Sequence, residues 1–225
     1  EHFKAFAAAL RDHYPKRLGR SMRFIPEIAP SEEVDALLKT HGFRKKTKEY
    51  QSLTVDLTQT EENLRANLRK NWHSTLKKAE KSGLSVEWDE DGLHLPWLLK
   101  FYSFDKKTKG YDGPSVELLE ALSKTFTPEK GMVIARAMLN KRAVGAILIF
   151  CHGRASTYQI GWNAQEGRKH GAHNLLLWNA LLYLKARGAT EFDLGGVNDE
   201  DARSIKTFKE GLGANLVSLA GLYTS

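Results

Sequence analysis

Apolar residues recur at helical spacing at the start of the chain, with Phe3, Phe6, Ala7 and Leu10 on one face, and Pro15 ends the predicted helix. A strand follows over 21–25, running into Pro26. Ser31 before Glu32 and Glu33 predicts the cap of a second helix, whose Val34, Leu37 and Leu38 face inward until His41-Gly42. Leu53, Val55 and Leu57 alternate, which predicts a half-buried strand over 51–57. Thr58-x-x-Glu61 has the form of a capping box, Glu61 and Glu62 suit the positive end of a helix dipole, and Gly83 suits a C-terminal cap. Leu64, Leu68, Trp72, Leu76 and Ala79 lie between them at three- and four-residue steps, so the pattern predicts one long helix over 58–83.

Beyond it the pattern predicts a strand over 84–88, a helix over 95–104, a mobile Gly- and Lys-rich loop over 106–114 and an amphipathic helix over Val116–Phe126. Met132–Leu139, 143–151 and 156–162 read as three strands. Turns at Asn140-Lys141-Arg142 and His152-Gly153-Arg154 make them an antiparallel meander. After a loop over 163–170 comes a helix over 172–187, apolar at Leu175, Leu176, Trp178, Leu181 and Leu182 and stopped by Gly188. The strand Glu191-Phe192-Asp193-Leu194 ends on Gly195-Gly196, a sign of a bulge or a close backbone approach. An acidic loop follows. Phe208-Lys209-Glu210-Gly211-Leu212-Gly213 then puts a lysine beside an aromatic residue and between glycines, before a last strand over 216–223. This order predicts an α+β fold with a central, mostly antiparallel sheet flanked by helices.

With 225 residues and 41% hydrophobic content, the chain can bury the core of one large domain or one and a half small ones. It has no apolar run of membrane-spanning length and no charged-then-apolar leader, and its single cysteine suits a reducing compartment. A cytoplasmic location is the expectation. The formal charge of +7 favours acidic partners: nucleic acid, nucleotide-linked substrates or an anionic membrane surface.

Two stretches carry candidate chemistry. Arg65, Arg69, Lys70, His73, Lys77, Lys78 and Lys81 cover the polar side of the 58–83 segment. A solvated face is one reading. The clustering of these residues without acidic partners points instead to Arg69 or Lys70 beside a nucleic-acid or diphosphate backbone. Lys209, next to an aromatic residue and near glycines, is placed to clamp an anion or to stabilise developing negative charge, the alternative being a surface lysine on a turn. Cys151-His152 and His170 with His173 lack metal-ligand spacing, so no metal is expected. Cys151, inside an apolar strand, reads as core rather than nucleophile. His170 and His173 read as general bases or as helix-start contacts. No nucleophile elbow, Walker loop or dinucleotide fingerprint is present.

Three strands followed by Arg168-x-x-Gly171-Ala172 at a helix start, then another strand, resemble the GNAT acyltransferase fold. In that fold the loop presents backbone N–H groups to the diphosphate of coenzyme A. Here His173 replaces the last small residue of the pattern. A wider resemblance is to the Fem family of aminoacyl-tRNA-dependent transferases. It is carried by Phe24-Ile25-Pro26, His41-Gly42-Phe43, Thr54-Val55-Asp56-Leu57, Arg69-Lys70-Asn71 through Lys77-Lys78-Ala79-Glu80-Lys81-Ser82-Gly83-Leu84, Tyr158 to Gly161, Phe192-Asp193-Leu194-Gly195-Gly196 and Phe208-Lys209-x-Gly211-Leu212-Gly213, where Leu212 replaces a phenylalanine.

The resemblance implies transfer of an amino acid from charged tRNA to an amine of a peptide or peptidoglycan precursor, by direct attack and without a covalent enzyme intermediate. It implies Lys209 and Asp193 as catalytic residues. It implies Arg69, Lys70, Lys77, Tyr158, Trp162, Phe208, Gly195 and Gly196 as substrate-binding residues, and Arg168, Gly171 and His173 as the donor-phosphate site. It implies no cofactor beyond aminoacyl-tRNA as co-substrate, a nucleotide- or lipid-linked peptide acceptor, and peripheral contact with an anionic membrane. The layout it implies is part of a first GNAT-like domain over 1–57, a basic connecting helix over 58–83 and a complete GNAT-like domain over 84–225. Two alternatives stay open: an acyl-coenzyme A N-acyltransferase using acetyl- or acyl-coenzyme A, and a non-catalytic RNA- or nucleotide-binding module.

Overall fold

The computed structural model describes residues 2–15, 17–19, 21–197 and 203–225. In chain order the elements are α1 (His2–His13), β1 (Arg23–Phe24), α2 (Glu32–Thr40), β2 (Arg44–Lys45), β3 (Tyr50–Asp56), α3 (Glu61–Ala66), α4 (Lys70–Ala79), β4 (Ser85–Asp89), α5 (Leu95–Lys109), α6 (Val116–Phe126), β5 (Met132–Leu139), β6 (Arg142–His152), β7 (Ala155–Asn163), α7 (Gln165–Lys169), α8 (Ala172–Ala186), β8 (Glu191–Gly196), α9 (Arg203–Gly211), β9 (Asn215–Leu219) and β10 (Tyr223–Thr224). The expected acidic loop falls on Asn198–Ala202, outside the described residues.

The chain forms two compact units. One holds the residues up to Ser52 with Gly196, Val197 and Leu216–Ser225; the other holds Leu53–Gly195 and Arg203–Asn215. In the smaller unit β1, β10 and β2 pair antiparallel in that order. Its core gathers Ala7, Val34, Leu38, Phe43, Ala220 and Tyr223. Ser31 caps α2 as expected, its hydroxyl accepting from the Val34 N–H at 3.2 Å.

The larger unit is built on the ladder β4-β5-β6-β7-β8. All of its pairs are antiparallel except β7 with β8, which run parallel over Ala155–Thr157 and Glu191–Asp193. The β5–β6 hairpin closes through Asn140 and Lys141, both at positive φ (49° and 63°), the backbone that a two-residue turn needs to match strand twist. One sheet face packs on α5 and α6 through Leu98, Leu99, Tyr102, Leu119, Ile134, Leu148, Phe150 and Ile160. The other is covered by α8, whose Leu176, Leu177, Ala180, Leu181 and Leu184 are buried almost all round, so that helix lacks a polar stripe.

The segment 58–83 is two helices rather than one. Thr60 caps α3, while Thr58 turns back to donate to Asp56 Oδ1 at 2.6 Å. Helix α3 stops at Asn67, and the Arg69 N–H donates to Gly211 O at 3.0 Å. The break exists because the backbone at 67–69 docks on the end of α9. A Cβ at Gly213 (φ +84°) would lie 3.1 Å from Asn67 O, and one at Gly211 would lie 2.6 Å from Trp72 Cδ1. The two glycines of the Phe-Lys-x-Gly-Leu-Gly motif are therefore small so that α3 and α4 can approach. The expected mobile loop is also shorter: α5 continues to Lys109, Gly110 caps it at φ +68°, and Lys106 Nζ and Tyr102 Oη hold the following turn through Gly113 O and Pro114 O.

Candidate active site

Lys209 is not on a turn. It sits in the last turn of α9, 8% exposed, with Nζ donating to Gly195 O at 3.1 Å. Burial pulls its ammonium down from 10.5 to about 8, against the charge of Asp193, which pulls it up. A lysine so enclosed is held in one place and still carries its proton at neutral pH. The Asp193 carboxylate accepts from the Gly195 N–H at 2.8 Å, which fixes the turn at the end of β8, where Gly195 takes φ +82°. Asp193, Gly195 and Lys209 thus form one connected group. Gly196 closes β8 beside Tyr50, whose hydroxyl lies 2.8 Å from where its Cβ would stand.

Across β7 a bulge decides what faces α8. Ile149 pairs with Tyr158 and Leu148 with Ile160, so Gln159 is an extra residue and Tyr158 and Gly161 share a face. The Tyr158 hydroxyl and His173 Nε2 take the space that a Cβ on Gly161 would need, Nε2 being 2.6 Å from that point. Burial, then the charges of Arg168 and Lys109, push His173 down to about 4, and burial pushes the Tyr158 phenol up. His173 is therefore neutral at pH 7, and its Nδ1 is buried without a partner among the described residues. Trp162 lies on the opposite face, edge-on to Trp97 and tilted against Phe101 at ring distances of 5.3 and 4.5 Å.

The expected donor-phosphate residues are split. Arg168 is exposed on α7, and Gly171 opens α8 at φ +70°, but α4 lies across that opening. A Cβ at Gly171 would be 2.9 Å from Thr75 Cγ2 and 3.3 Å from Ala79 Cβ, so α4 packs directly on this glycine. The space is instead at the other end of α4. A cleft of about 490 Å³ is lined by Lys70, Trp72, Asn174, Thr207, Phe208 and Gly211 among others. Helix α4 begins here with no side-chain cap, so its first-turn N–H groups are open to a ligand. Trp72 is buried with Nε1 unpaired among the described residues, and its ring lies 6.0 Å from Phe208. The sequence pattern assigns Trp72 to the core and gives Asn174 no role; the available signal is an asparagine directly before the apolar run Leu175-Leu176-Leu177-Trp178, and it is buried at 7% exposure.

The basic set is only partly unpartnered. Arg65 binds Glu80 through two hydrogen bonds and lies over the Trp178 ring, and Arg69 pairs with Glu210 at 2.8 Å. Lys70 and Lys77 are exposed; Lys70 lines the cleft, and Lys77 lies away from it on the last turn of α4. Cys151 and His152 alternate to opposite sheet faces and do not form a ligand pair. Among the described residues no helix is long and apolar enough to cross a membrane.

The fold is shared with solved structures of low sequence identity. FemX superposes with a TM-score of 0.79 at 14% identity, over 99% of this chain and 76% of that one. L-PGS from Bacillus licheniformis matches at 0.52 and 14% identity, over 99% and 71%. A tandem GNAT protein from the clavulanic acid biosynthesis pathway matches at 0.51 and 13%, over 99% and 68%. No curated protein matches the sequence. The acetyltransferase (GNAT) domain family matches residues 63–209, a stretch that starts inside α3 and ends on Lys209, and so the chain belongs to the GNAT family of acyltransferases.

Proposed function

We propose that this acyltransferase moves an amino acid from aminoacyl-tRNA to an amine of a peptide or peptidoglycan-precursor acceptor. The observation that carries the reading is at α4: its middle packs on Gly171, where a coenzyme A diphosphate would be expected, while its uncapped N-terminus opens a basic cleft lined by Arg69, Lys70 and Phe208, the residue before Lys209. In this reading the cleft takes the phosphodiester end of the tRNA, with Lys70, Arg69 and the α4 N–H groups facing phosphate. The amine attacks the ester carbonyl, the tetrahedral oxyanion is stabilised by the Lys209 ammonium, and the ribose hydroxyl leaves. Positioning and electrostatics supply the rate. The similarity to FemX and L-PGS supports a nucleotide- or lipid-linked acceptor and, with it, contact with an anionic membrane surface. An acyl-coenzyme A donor is the second reading, favoured by the left-handed Gly171 at the start of α8.

The deciding experiment supplies labelled aminoacyl-tRNA or acetyl-coenzyme A to the protein with a mixture of amines and muropeptide precursors, each with and without ribonuclease. Label transfer from tRNA that ribonuclease abolishes is expected; transfer from coenzyme A alone would overturn the reading. A second expectation concerns salt. The double variant Lys70→Gln, Lys77→Gln weakens tRNA binding and flattens the plot of log affinity against log salt by about one unit, because only Lys70 lines the cleft. A loss of about two units, measured by filter binding, would place Lys77 on the RNA as well.

A further inference from the structure

At the other end of β7 a second cleft, of about 420 Å³, lies under the C-terminus of α8. Cys151 of β6 and Ser156 of β7 are register partners on neighbouring strands, so their side chains stand side by side on one face. Both line this cleft, with Phe126, Leu184, Lys130 and Arg187. Two observations set it apart from ordinary core. Cys151, the only thiol in the chain, is half-buried and open to the cleft, contrary to its expected place in the core. Ser156 is 1% exposed, yet its hydroxyl has no hydrogen-bond partner among the described residues. A buried hydroxyl costs free energy when unpaired, and this one belongs to the residue paired in register with Cys151 on the lining of the cleft.

The rim carries the charge. Arg187 donates to the Tyr183 hydroxyl and to Lys130 O, each at 2.8 Å, and has Glu90 at 3.3 Å. Two of its five N–H donors are used by Tyr183 and Lys130 and its charge is shared with Glu90, so a ligand carboxylate would meet the guanidinium through its other donors. Lys130 pairs with Asp91 at the surface, and Glu129 stands on the same rim. Cation and carboxylate together suit a ligand that bears both carboxylates and an amine, and the floor of Phe126 and Leu184 suits its aliphatic part.

We propose that Cys151 is a modification site that forms a mixed disulfide with a small γ-glutamyl-type thiol peptide, delivered as its symmetrical disulfide. The Cys151 thiol gives its proton to solvent and the thiolate attacks one sulfur of the disulfide. The S–S bond of the reagent breaks as the new S–S bond forms, and the second thiol leaves as thiolate and takes up a proton. The number of disulfides is unchanged, so no further oxidant enters. Ser156 donates its free hydroxyl to the sulfur centre, and Arg187 holds a carboxylate of the peptide.

The test treats the full chain with glutathione disulfide, with the neutral hydroxyethyl disulfide and with the cationic cystamine, and follows intact mass. Expected are one adduct per chain, none on Cys151→Ala, and addition from glutathione disulfide about tenfold faster than from cystamine. Arg187→Gln should bring those two rates together. Ser156→Ala, which removes a buried unpaired hydroxyl and should fold as well as the parent, should slow all three additions several-fold. Two results overturn the proposal: no adduct on the native chain when the chain unfolded in guanidinium reacts, or cystamine adding as fast as glutathione disulfide.

Discussion

Lys209→Met is expected to abolish transfer and at the same time to make the protein more stable at pH 7. An ammonium stabilising a developing oxyanion in an enclosed site contributes about 100- to 1,000-fold to rate, and methionine matches the length of the chain without the charge. The stability change follows from the same burial. The folded ammonium titrates at about 8 and the ordinary group at 10.5, so between these values the unfolded chain binds the proton and the folded chain does not. Stability of the parent protein therefore rises with pH from about 8 toward 10.5, and below 8 the full penalty for burying the charge is present. Removing that charge at pH 7 recovers about 2 kcal/mol, after allowing about 1 kcal/mol for the lost bond to Gly195 O. Urea unfolding of both proteins at pH 7 and pH 10 should show a gap that narrows at the higher pH. The ratio of parent to variant rate should fall as pH passes about 8, where Lys209 loses its proton. A variant that keeps its activity, or one destabilised equally at both pH values, would remove Lys209 from this role.

The elements that the sequence predicted well are those decided by neighbours in the chain. Ser31 caps α2 through its own third neighbour, and Asn140-Lys141 sets its hairpin within four residues. The misread places are decided by distant partners. Nothing between 58 and 83 announces the break at 67–69, because its cause is the carbonyl of Gly211 and the close approach of Gly213. The glycines after Phe208-Lys209 leave a lysine on a turn as one reading of the sequence; they serve as contact points for Trp72 and Asn67, and the lysine ahead of them is helical. Arg168-x-x-Gly171 was legible as a helix start, and it is one. That α4 covers it was not legible, since the covering atoms are the small side chains of Thr75 and Ala79, which in the sequence look like ordinary helix positions. Local signals therefore fixed the parts, and long-range packing decided which part was open to a ligand.

That division makes Trp72 the residue to vary next. It is 5% exposed, fits against the bare backbone of Gly211 and faces Phe208, so Trp72→Ala leaves a void at the junction of α4, α8 and α9 and should cost about 3 to 5 kcal/mol. The cleft at the start of α4 would lose its wall, and transfer would fall with the fold. Such a result alone reports packing. Trp72→Phe separates the two roles, because it keeps most of the apolar volume and deletes the indole N–H, which has no partner among the described residues. Its unfolding midpoint should stay within about 1 kcal/mol of the parent, since a buried donor without a partner contributes nothing when removed. If the N–H is kept for a phosphate oxygen of the donor, KM for aminoacyl-tRNA should rise about tenfold with kcat nearly unchanged, the pattern of a lost binding contact made equally in ground and transition states. An unchanged KM in Trp72→Phe, measured beside the low stability of Trp72→Ala, would return Trp72 to the core and move the donor out of this cleft.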